Sequence, residues 1–312
     1  MLSKAKIKEI KALEIKKIRD ERGLFVAEGD KTVSCMLQSF ECETLIASDR
    51  WIASQGEGAK GRKDEGVKGR KDEGAKGRKD EGVKGRKDEG VKGRKDEGVK
   101  GRKDEGAKGR KEEGVKGRKD EGAKVKEWII VEADELRKAG FLKTPQDVLA
   151  IFRKPRYALE EANPALQLIL ALDGIQDPGN VGTIIRIAEW FGIEHIVCSP
   201  DTADVFSPKT IQATMGALAH VKVHYSNLVA YIRENNASPV YGTFLEGENI
   251  YQCTLSQQGI IVMGNEGNGI RPEIEALINK RLHIPSYPSD RKTTGSLNVA
   301  AATAIVCAEF RR

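Results

Sequence analysis

Hydrophobic and polar positions follow two different patterns along the chain. Near the start, apolar residues recur at roughly helical spacing through residues 4–22, which predicts a helix. From residue 166 onward, short continuous apolar runs appear instead, such as Leu168–Leu172. A run of this length is typical of a strand that is buried on both faces of a sheet. The pattern therefore predicts a helical start and, later, a buried parallel sheet.

The first part of the chain alternates between short strands and short helices. The expected strands are 24–29, 44–47, 128–131 and 147–152, and the expected helices after the first are 31–37 and 133–139. Such an alternation predicts a small α/β domain, which we place at residues 1–152. Residues 153–164 are polar and contain Pro155 and Pro164, so we expect them to form a linker.

The second part of the chain repeats a strand–helix order. The expected strands after the first are 195–198, 221–224, 240–245 and 259–263, and the expected helices are 182–191, one that begins at 207–208, 272–280 and 297–310. This order predicts an α/β fold with a mostly parallel sheet and helices on both faces. We assign it to a second domain, residues 165–312.

An eight-residue repeat interrupts the first domain. Residues 61–124 are eight copies of the unit G-R-K-[DE]-E-G-[AV]-K. Each unit has one small apolar residue and two glycines, so it cannot bury enough surface to offset the entropy of ordering. We expect residues 57–124 to be a disordered insertion in a surface loop, because lengthening a loop costs little. The alternative is a tether that grips RNA through its Lys and Arg side chains.

The repeat also explains the charge of the chain. The net charge is +6, but each of the eight copies carries +1, so the rest of the chain carries −2. The basic composition is therefore no argument for nucleic-acid binding.

Composition also bounds the class of protein. The five cysteines are scattered and include no C-x-x-C pair, which predicts neither a zinc site nor disulfides. We expect His220 and His224 on one face of a strand rather than at a metal. No apolar run approaches the ~20 residues that span a bilayer, and no signal-type stretch follows the basic N-terminus. We expect no metal, no membrane and a cytoplasmic location.

Three loops could carry chemistry. The first, 173–182, joins a buried strand to a helix, and ligands bind at such strand ends. The second, 264–269, follows another buried strand and contains three glycines, which let a ligand approach the backbone. Its spacing is not G-x-G-x-x-G and it lacks the Lys of a phosphate loop, so a dinucleotide enzyme is disfavoured. The third loop, 284–298, leads into the last helix, whose small residues at 300–302 permit close packing.

Each loop alone has an ordinary structural explanation. Arg186 alone would be a solvated helix residue, and the glycines of the second loop would form a tight turn. Ser296 could cap the last helix. Asn298 is expected just inside the start of that helix, where its propensity gives it no advantage.

Together and in this order, the three loops resemble a known set of motifs. N-V-G-T-I-I-R-x-A-E-x-F-G, G-N-E-G-x-G and S-L-N-V-A are similar to the motifs of the SpoU/TrmH branch of the SPOUT methyltransferases, over about residues 166–310. The first part resembles the substrate-binding domain, similar to ribosomal protein L30e, that precedes the catalytic domain in many members. G-L-F-V-A-E-G at 23–29 and T-P-Q-D-V-L-A at 144–150 carry that second match.

The resemblance implies both a fold and an activity. The fold is an α/β sheet with a C-terminal trefoil knot, an exception to the rule against threaded connections. Members are homodimers whose active site lies at the interface. The activity is transfer of a methyl group from S-adenosylmethionine to a ribose 2′-hydroxyl in RNA, with ribosomal RNA favoured over transfer RNA. The alternative is an RNA-binding or ribosome-assembly factor that retains the fold without catalysis.

The resemblance also assigns residues. The active-site positions fall on Asn180, Arg186, Glu266, Ser296 and Asn298, and the donor-contacting positions on Gly264, Ile284, Leu297 and, more weakly, Thr243. The family assigns activation of the hydroxyl to Arg186. Because a guanidinium hardly loses a proton, two roles stay open for it: a transient base, or a cation that binds the RNA phosphate and orients the hydroxyl. The loop 285–295 is longer than is common in the family.

Overall fold

The computed structural model describes residues 2–57, 125–144, 146–288 and 295–312. The repeat at 61–124, with the disorder predicted for it, lies outside these residues. Within the described ranges, no helix is both long and apolar enough to cross a bilayer.

The first part of the chain builds a four-stranded sheet between helices. Its elements are α1 (Lys4–Ala12), α2 (Lys16–Arg22), β1 (Leu24–Glu28), α3 (Asp30–Met36), β2 (Cys42–Ala47), α4 (Asp49–Glu57), β3 (Glu127–Ile130), α5 (Ala133–Ala139) and β4 (Val148–Arg153). The strand order is β1-β4-β2-β3; β4 runs antiparallel to β1 and β2, and β3 runs parallel to β2. One face packs on α1 and α5 and the other on α3. The strands predicted for this part are all present.

The single helix predicted over residues 4–22 is wrong, because the helix breaks. Leu13 ends α1, and Ile15 adopts an extended conformation before α2. The guanidinium of Arg19 donates hydrogen bonds to the carbonyl oxygens of Leu13 at 2.7 Å and Glu14 at 2.6 Å. These bonds satisfy acceptors that the break would leave unpaired, so the buried Arg19 stabilises two helices instead of one.

Helix α4 was not predicted, and its sequence shows why. Its large apolar residues, Trp51 and Ile52, are adjacent and set no helical period. The helix is fixed instead by tertiary contacts: Trp51 is buried, and its indole N–H donates to Oδ1 of Asp30 at 2.7 Å.

The second part of the chain builds a seven-stranded sheet. Its elements are β5 (Leu168–Asp173), α6 (Pro178–Trp190), β6 (His195–Cys198), α7 (Pro208–Thr214), β7 (Lys222–Tyr225), α8 (Leu228–Glu234), β8 (Val240–Phe244), β9 (Glu248–Asn249), β10 (Gly259–Gly264), α9 (Pro272–Glu275), β11 (Lys280–His283) and α10 (Val299–Phe310). The strand order is β7-β6-β5-β10-β8-β11-β9, and every neighbouring pair is parallel. The predicted parallel α/β sheet is confirmed.

Burial of β5 shows why its sequence is a continuous apolar run. Leu168, Leu170 and Leu172 face the layer of α6, α7 and α10, whereas Ile169 and Ala171 face α8 and α9. Successive side chains of a strand point to opposite faces, so a sheet covered on both faces needs apolar residues at every position. The prediction of helices on both faces is thereby confirmed.

The helix predicted over 272–280 is wrong in its second half. Helix α9 ends at Glu275, and the chain then enters β11. Asn279, which directly precedes β11, makes two hydrogen bonds to Val240, the first residue of β8. Its backbone N–H donates to the carbonyl of Val240 at 3.1 Å, and its side-chain oxygen accepts from the N–H of Val240 at 3.0 Å. Strand pairing therefore overrides the helical pattern.

The expectation that His220 and His224 share a strand face is also wrong. His220 follows a short 3-10 helix, Ala217–Ala219, and its ring pairs with Glu189 at 2.5 Å. His224 lies in β7, and its ring stacks on buried His195 with centroids 5.3 Å apart. The two histidines therefore have separate structural roles.

The two sheets meet through a buried contact. The rings of Phe25 in β1 and Phe206 before α7 lie 5.0 Å apart, within one continuous apolar core. Nearby, the guanidinium of Arg19 pairs with the carboxylate of Asp204 at 2.6 Å, and both side chains are at most 9% exposed. The expected linker, 153–164, contains a short 3-10 helix, and the domain limits themselves stay predictions.

Candidate functional site

The first two candidate loops lie side by side at one edge of the sheet. Strands β5 and β10 are parallel neighbours, and Asp173 pairs in register with Gly264. The loops that follow these two residues therefore leave the sheet together, as the carboxyl ends of adjacent parallel strands must.

Glu266 fastens the second loop to the first. Its carboxylate accepts hydrogen bonds from the backbone N–H groups of Gln176 at 3.2 Å and Asp177 at 3.3 Å. It also accepts from the side-chain amide of Asn180 at 2.9 Å. One carboxylate thus holds three donors of the loop that opens α6.

These hydrogen bonds also set the charge of Glu266. Partial burial opposes ionisation, but the bonds from Asn180, Gln176 and Asp177 outweigh it, so the pKa of the Glu266 carboxyl lies below its ordinary value. The group is therefore an anion at neutral pH.

Asn298 brings in the third loop. Its side-chain oxygen accepts from the backbone N–H groups of Ala300 at 3.0 Å and Ala301 at 3.2 Å, which makes it the N-cap of α10. Its amide nitrogen donates to Oδ1 of Asn180 at 3.0 Å. The expectation that Asn298 lies inside the helix is wrong, and so is the assignment of the cap to Ser296; α10 begins at Val299.

Helix α6 likewise begins earlier than predicted. Asp177 is its N-cap and accepts from the N–H of Asn180 at 3.0 Å, with Pro178 at the first helical position. The glycine and asparagine that follow suggested a loop up to residue 182. The earlier start places Asn180 in the first helical turn, between Glu266 and Asn298.

Asn265 shapes the second loop from within. Its side-chain oxygen accepts from the N–H groups of Gly267 at 2.9 Å and Asn268 at 3.0 Å, and its amide donates to the carbonyl of Gly174 at 2.6 Å. A Cβ on Gly264 would lie 2.5 Å from the backbone of Gly269, so the glycine at 264 is required by the loop's own fold.

An ion pair between a buried carboxylate and a half-buried guanidinium supports the two loops. The carboxylate of Asp173 is fully buried and accepts from the backbone N–H of Arg271 at 2.8 Å and from its Nε at 2.7 Å. Because Asp173 ends β5 and Arg271 precedes α9, this pair fixes the spacing of the two loops.

A cavity of about 390 Å³ opens beside the convergent loops. Six of the nine predicted site residues line it: Thr243, Gly264, Glu266, Ile284, Ser296 and Leu297. All four positions expected to contact a methyl donor are among them. Asn180 and Asn298 stand next to it, because Asn180 donates a hydrogen bond to Glu266 and accepts one from Asn298.

Arg186 is the predicted residue that does not join this cluster. It is exposed on α6, does not line the cavity, and has no hydrogen bond or ion pair with the residues that the structure describes. It lies six residues beyond Asn180, about 9 Å along the helix. Trp190, one turn further on the same stripe, is 84% exposed.

Sequence reasoning missed the roles of three supporting residues. Asp177 caps α6 and also pairs with Lys209 at 2.9 Å, Asn265 organises its loop, and Arg271 pairs with Asp173. The sequence did contain one signal: a carboxylate that ends a buried apolar strand needs a partner, and Asp173 is such a residue.

The part of the chain that the structure describes contains no set of side chains suited to bind a metal ion. No group of three His, Cys, Asp or Glu side chains there could hold a metal ion. The cavity offers instead apolar walls, loop backbone, the ring of His283 and two carboxylate side chains, Glu266 and Glu275.

Two known protein families match this chain, one in each of its two parts. The profile of the SpoU rRNA Methylase family matches residues 167–308, and that of the MRM3-like substrate binding domain matches residues 4–68. The first match contains all three convergent loops.

Individual proteins agree with these profiles. The chain is 35% identical over 172 residues to the 23S rRNA (guanosine(2553)-2'-O)-methyltransferase RlmP of Bacillus subtilis, a match that covers 54% of this chain and 66% of that protein. A solved structure assigned to the TrmH family of RNA methyltransferases, from Porphyromonas gingivalis, has a TM-score of 0.70 and 31% identity, covering 100% of this chain and 98% of that one. An AdoMet-bound rRNA methyltransferase from Sinorhizobium meliloti has the same fold, with a TM-score of 0.68 and 24% identity over 100% of this chain and 95% of that one.

Proposed function

The chain belongs to the SpoU/TrmH family of RNA methyltransferases, and we propose that it transfers a methyl group from S-adenosylmethionine to a ribose 2′-hydroxyl of ribosomal RNA. One observation carries the proposal: Asn180, Glu266 and Asn298, from three distant loops, form one hydrogen-bonded cluster beside a ligand-sized cavity. Ribosomal RNA is favoured over transfer RNA because the relative from Bacillus subtilis is a 23S rRNA enzyme.

The cavity fits such a donor. Its volume of about 390 Å³ lies within the range typical of small-ligand sites. Apolar side chains of Ile284 and Leu297 would pack on the donor, while the backbone of the 264–269 loop would meet its polar groups. The donor supplies a methyl group on a positively charged sulfur. The anionic carboxylate of Glu266 lines the same cavity and would stabilise that charge.

The roles of the polar residues follow from their contacts. Asn180 and Asn298 orient each other and Glu266, so they hold the mouth of the cavity in one geometry. Arg186, an exposed cation with no partner among the described residues, is suited to bind an RNA phosphate bidentately. It would thereby hold the hydroxyl in line with the methyl group. Because a guanidinium hardly loses a proton, the hydroxyl proton would leave to solvent.

We place Arg186 at the cavity of a second copy of this chain. Within one chain, Arg186 does not reach the cluster around Asn180. The neighbouring Trp190, at 84% exposure, is an apolar side chain that a partner would cover. A symmetric dimer in which each copy supplies Arg186 to the other's cavity accounts for both observations.

The finer architecture is also part of the proposal. We divide the chain into an L30e-like RNA-binding domain at 1–152, a linker at 153–164 and a catalytic domain at 165–312. A trefoil knot is supported by the position of the last helix: β11 lies beyond β8 in the sheet, but α10, which comes after β11 in the chain, packs on β10 and α6. We place the reaction in the cytoplasm, where bacterial ribosomal RNA is modified.

Methyl transfer from labelled S-adenosylmethionine to ribosomal RNA tests the proposal. A 2′-O-methyl group blocks alkaline cleavage of the next phosphodiester, so the label should appear in alkali-resistant dinucleotides. Label in mononucleotides would indicate base methylation and contradict the ribose assignment. Transfer to tRNA alone would contradict the choice of ribosomal RNA.

The second candidate function, an RNA-binding or assembly factor without catalysis, rests on Arg186 standing apart from the cluster. Titration calorimetry separates the two. The enzyme binds S-adenosylmethionine without RNA, whereas a factor that only retains the fold shows RNA binding and no heat with the donor.

A further inference from the structure

A second cavity, also of about 390 Å³, lies where the two parts of the chain meet. Val26 and Phe141 form its wall on the first part, and Pro208 and Ile211 form the wall on the second. We call it the junction cavity. None of the site residues predicted from sequence lines it.

A buried carboxylate, Glu28, lies among the apolar side chains of this wall, and Glu14, Lys209 and Gln212 are the other polar side chains that line the cavity. Glu28 is 8% exposed, and its Oε1 accepts from the backbone N–H of Phe141 at 2.6 Å. The backbone N–H of Leu142 also donates to this carboxylate. Since a carboxylate can accept about four hydrogen bonds, Glu28 retains capacity for about two more donors. Burying a charged group among apolar side chains is costly unless hydrogen bonds compensate, and a ligand that donates hydrogen bonds would supply that compensation.

The junction cavity and the proposed active site adjoin the same turn of α6. Gly179 lines it and directly precedes Asn180. Lys209 also lines it, and its ammonium group lies 2.9 Å from the carboxylate of Asp177, the cap of α6. One helical turn therefore carries both Gly179 of this cavity and Asn180 of the catalytic cluster.

We propose that the junction cavity binds an unpaired base of the RNA substrate, with the donor edge of the base on Glu28 and the adjoining phosphate on Lys209. This inference rests on the proposed function, since it assumes that RNA lies across the start of α6. Single-stranded RNA is recognised by splaying out bases, which are then packed on apolar side chains and hydrogen-bonded along their edges.

The carboxylate also indicates which base fits. Guanine presents two adjacent donors, N1–H and the N2 amino group, to a carboxylate that accepts side by side. Cytosine and adenine present an amino donor next to an acceptor, and uracil presents one N–H between two acceptors. The junction cavity should therefore prefer guanine and bind uracil most weakly.

Short RNA oligonucleotides test this preference. Fluorescein-labelled oligouridylates of about ten nucleotides, with a central guanosine, inosine or uridine, would be titrated with the full-length protein in an anisotropy assay. We expect the guanosine oligonucleotide to bind about tenfold more tightly than the uridine one, a size typical of a bidentate base contact. Inosine, which lacks the N2 amino group, should fall between them.

Two variants locate the preference. Glu28→Gln should reduce the difference between guanosine and uridine to within about twofold, while Glu43→Gln, a carboxylate on β2 outside the cavity, should leave it intact. Gln212→Trp, at the rim, should fill the cavity and weaken guanosine binding to the uridine level if Glu28→Gln fails to fold. Equal binding of the three oligonucleotides by the unaltered protein, or a preference that survives both variants, overturns the inference.

The methyl-transfer assay keeps this test separate from the proposed function. If the protein methylates ribosomal RNA but shows no guanosine preference, only the junction cavity is misassigned. If the preference depends on Glu28 but no methyl group is transferred, the cavity binds a base and the proposed activity is wrong.

Discussion

Two regions of one helix, α6, differ in whether their polar side chains find partners within the chain. At its first turn, Asn180 is held by Glu266 and Asn298, and Asp177 caps the helix. Two turns further on, Arg186 is exposed and has no polar partner among the described residues. The hydrogen bonds of the first region are therefore formed within one chain, whereas the second region has none among the described residues.

The difference separates two kinds of functional residue. The cluster at Asn180 is preorganised, because its hydrogen bonds exist without any ligand, and such groups need no rearrangement when charge develops. A side chain such as Arg186 acquires its geometry only when RNA or a second copy arrives. We therefore expect changes in the two regions to affect different steps.

The largest effect should come from Arg186→Ala. Loss of a positioned cation at the reacting group should lower methyl transfer by about 1,000-fold, while donor binding, measured by calorimetry without RNA, stays within about twofold. Arg233→Ala is the matched control, since Arg233 is also an exposed helical arginine with no polar partner in the described part of the chain. If donor affinity fell with activity, Arg186 would belong to the preorganised cluster.

Mixing variants tests which copy supplies Arg186. A dimer formed from one Arg186→Ala chain and one Glu266→Gln chain has one intact site if the residues come from different copies. Equal mixing after subunit exchange should then recover about a quarter of the normal rate, because half of the dimers are mixed and each has one intact site of two. No recovery would place both residues in the same chain's site.

The next effect concerns Trp190. Trp190→Lys puts a charge on the surface that a partner would cover, so it should shift the protein towards monomers in analytical ultracentrifugation and lower activity by about 100-fold at low protein concentration. Donor binding to the cavity of each chain should persist. A variant that sediments as the unaltered protein does, with full activity, would contradict the partner surface.

The sequence was informative where local chemistry decides. The continuous apolar runs predicted strands buried on both faces, and β5 is one, because its side chains meet helices on both sides. The start of α7 at 207–208 was predicted correctly: the side chain of Ser207 accepts from the backbone N–H of Thr210, and Pro208 is the first helical residue. The four residues to which the family resemblance assigns donor contacts all line one cavity, and the contacts themselves stay predictions.

It was uninformative where distant contacts decide. Asn298 caps α10 and also reaches Asn180, which is 118 residues away, and no spacing in the sequence encodes that bond. The break before α2 depends on Arg19, whose partner Asp204 lies in the other part of the chain. The sequence motif likewise could not predict that Arg186 has no polar partner among the described residues, because a motif shows which residue is present and not which residues surround it.

A smaller effect is expected from Glu266→Gln. The amide keeps the shape but loses the charge, and hydrogen bonds to a charged group are worth about 1.5–3 kcal/mol. Donor affinity should therefore fall about tenfold to 100-fold, and methyl transfer should fall with it. Glu273→Gln, on the surface of α9, is the matched control. Unchanged donor binding would show that the cluster does not shape the cavity.

The smallest effect on the cluster should come from pH, and it should differ from the effect of pH on the stability of the fold. The pKa of Glu266 lies below its ordinary value of 4.5, so its bonds are present above that value and are lost only as the pH falls through the lowered pKa. Donor affinity should thus change less than about twofold between about pH 8 and pH 5.5.

The folded scaffold should respond below about pH 6.5, a range that overlaps the lower part of that interval. Burial, together with the neighbouring His195, lowers the pKa of His224 to about 4, against an ordinary value of 6.5. The unfolded chain therefore binds the proton first as the pH falls below about 6.5, and stability drops until about pH 4, by about 3 kcal/mol in all. Urea unfolding at several pH values would measure this, and His224→Gln should flatten the dependence. A donor affinity that fell in parallel with stability, and that flattened with the same variant, would mean that the cluster at Asn180 is not preorganised but depends on the strength of the surrounding fold.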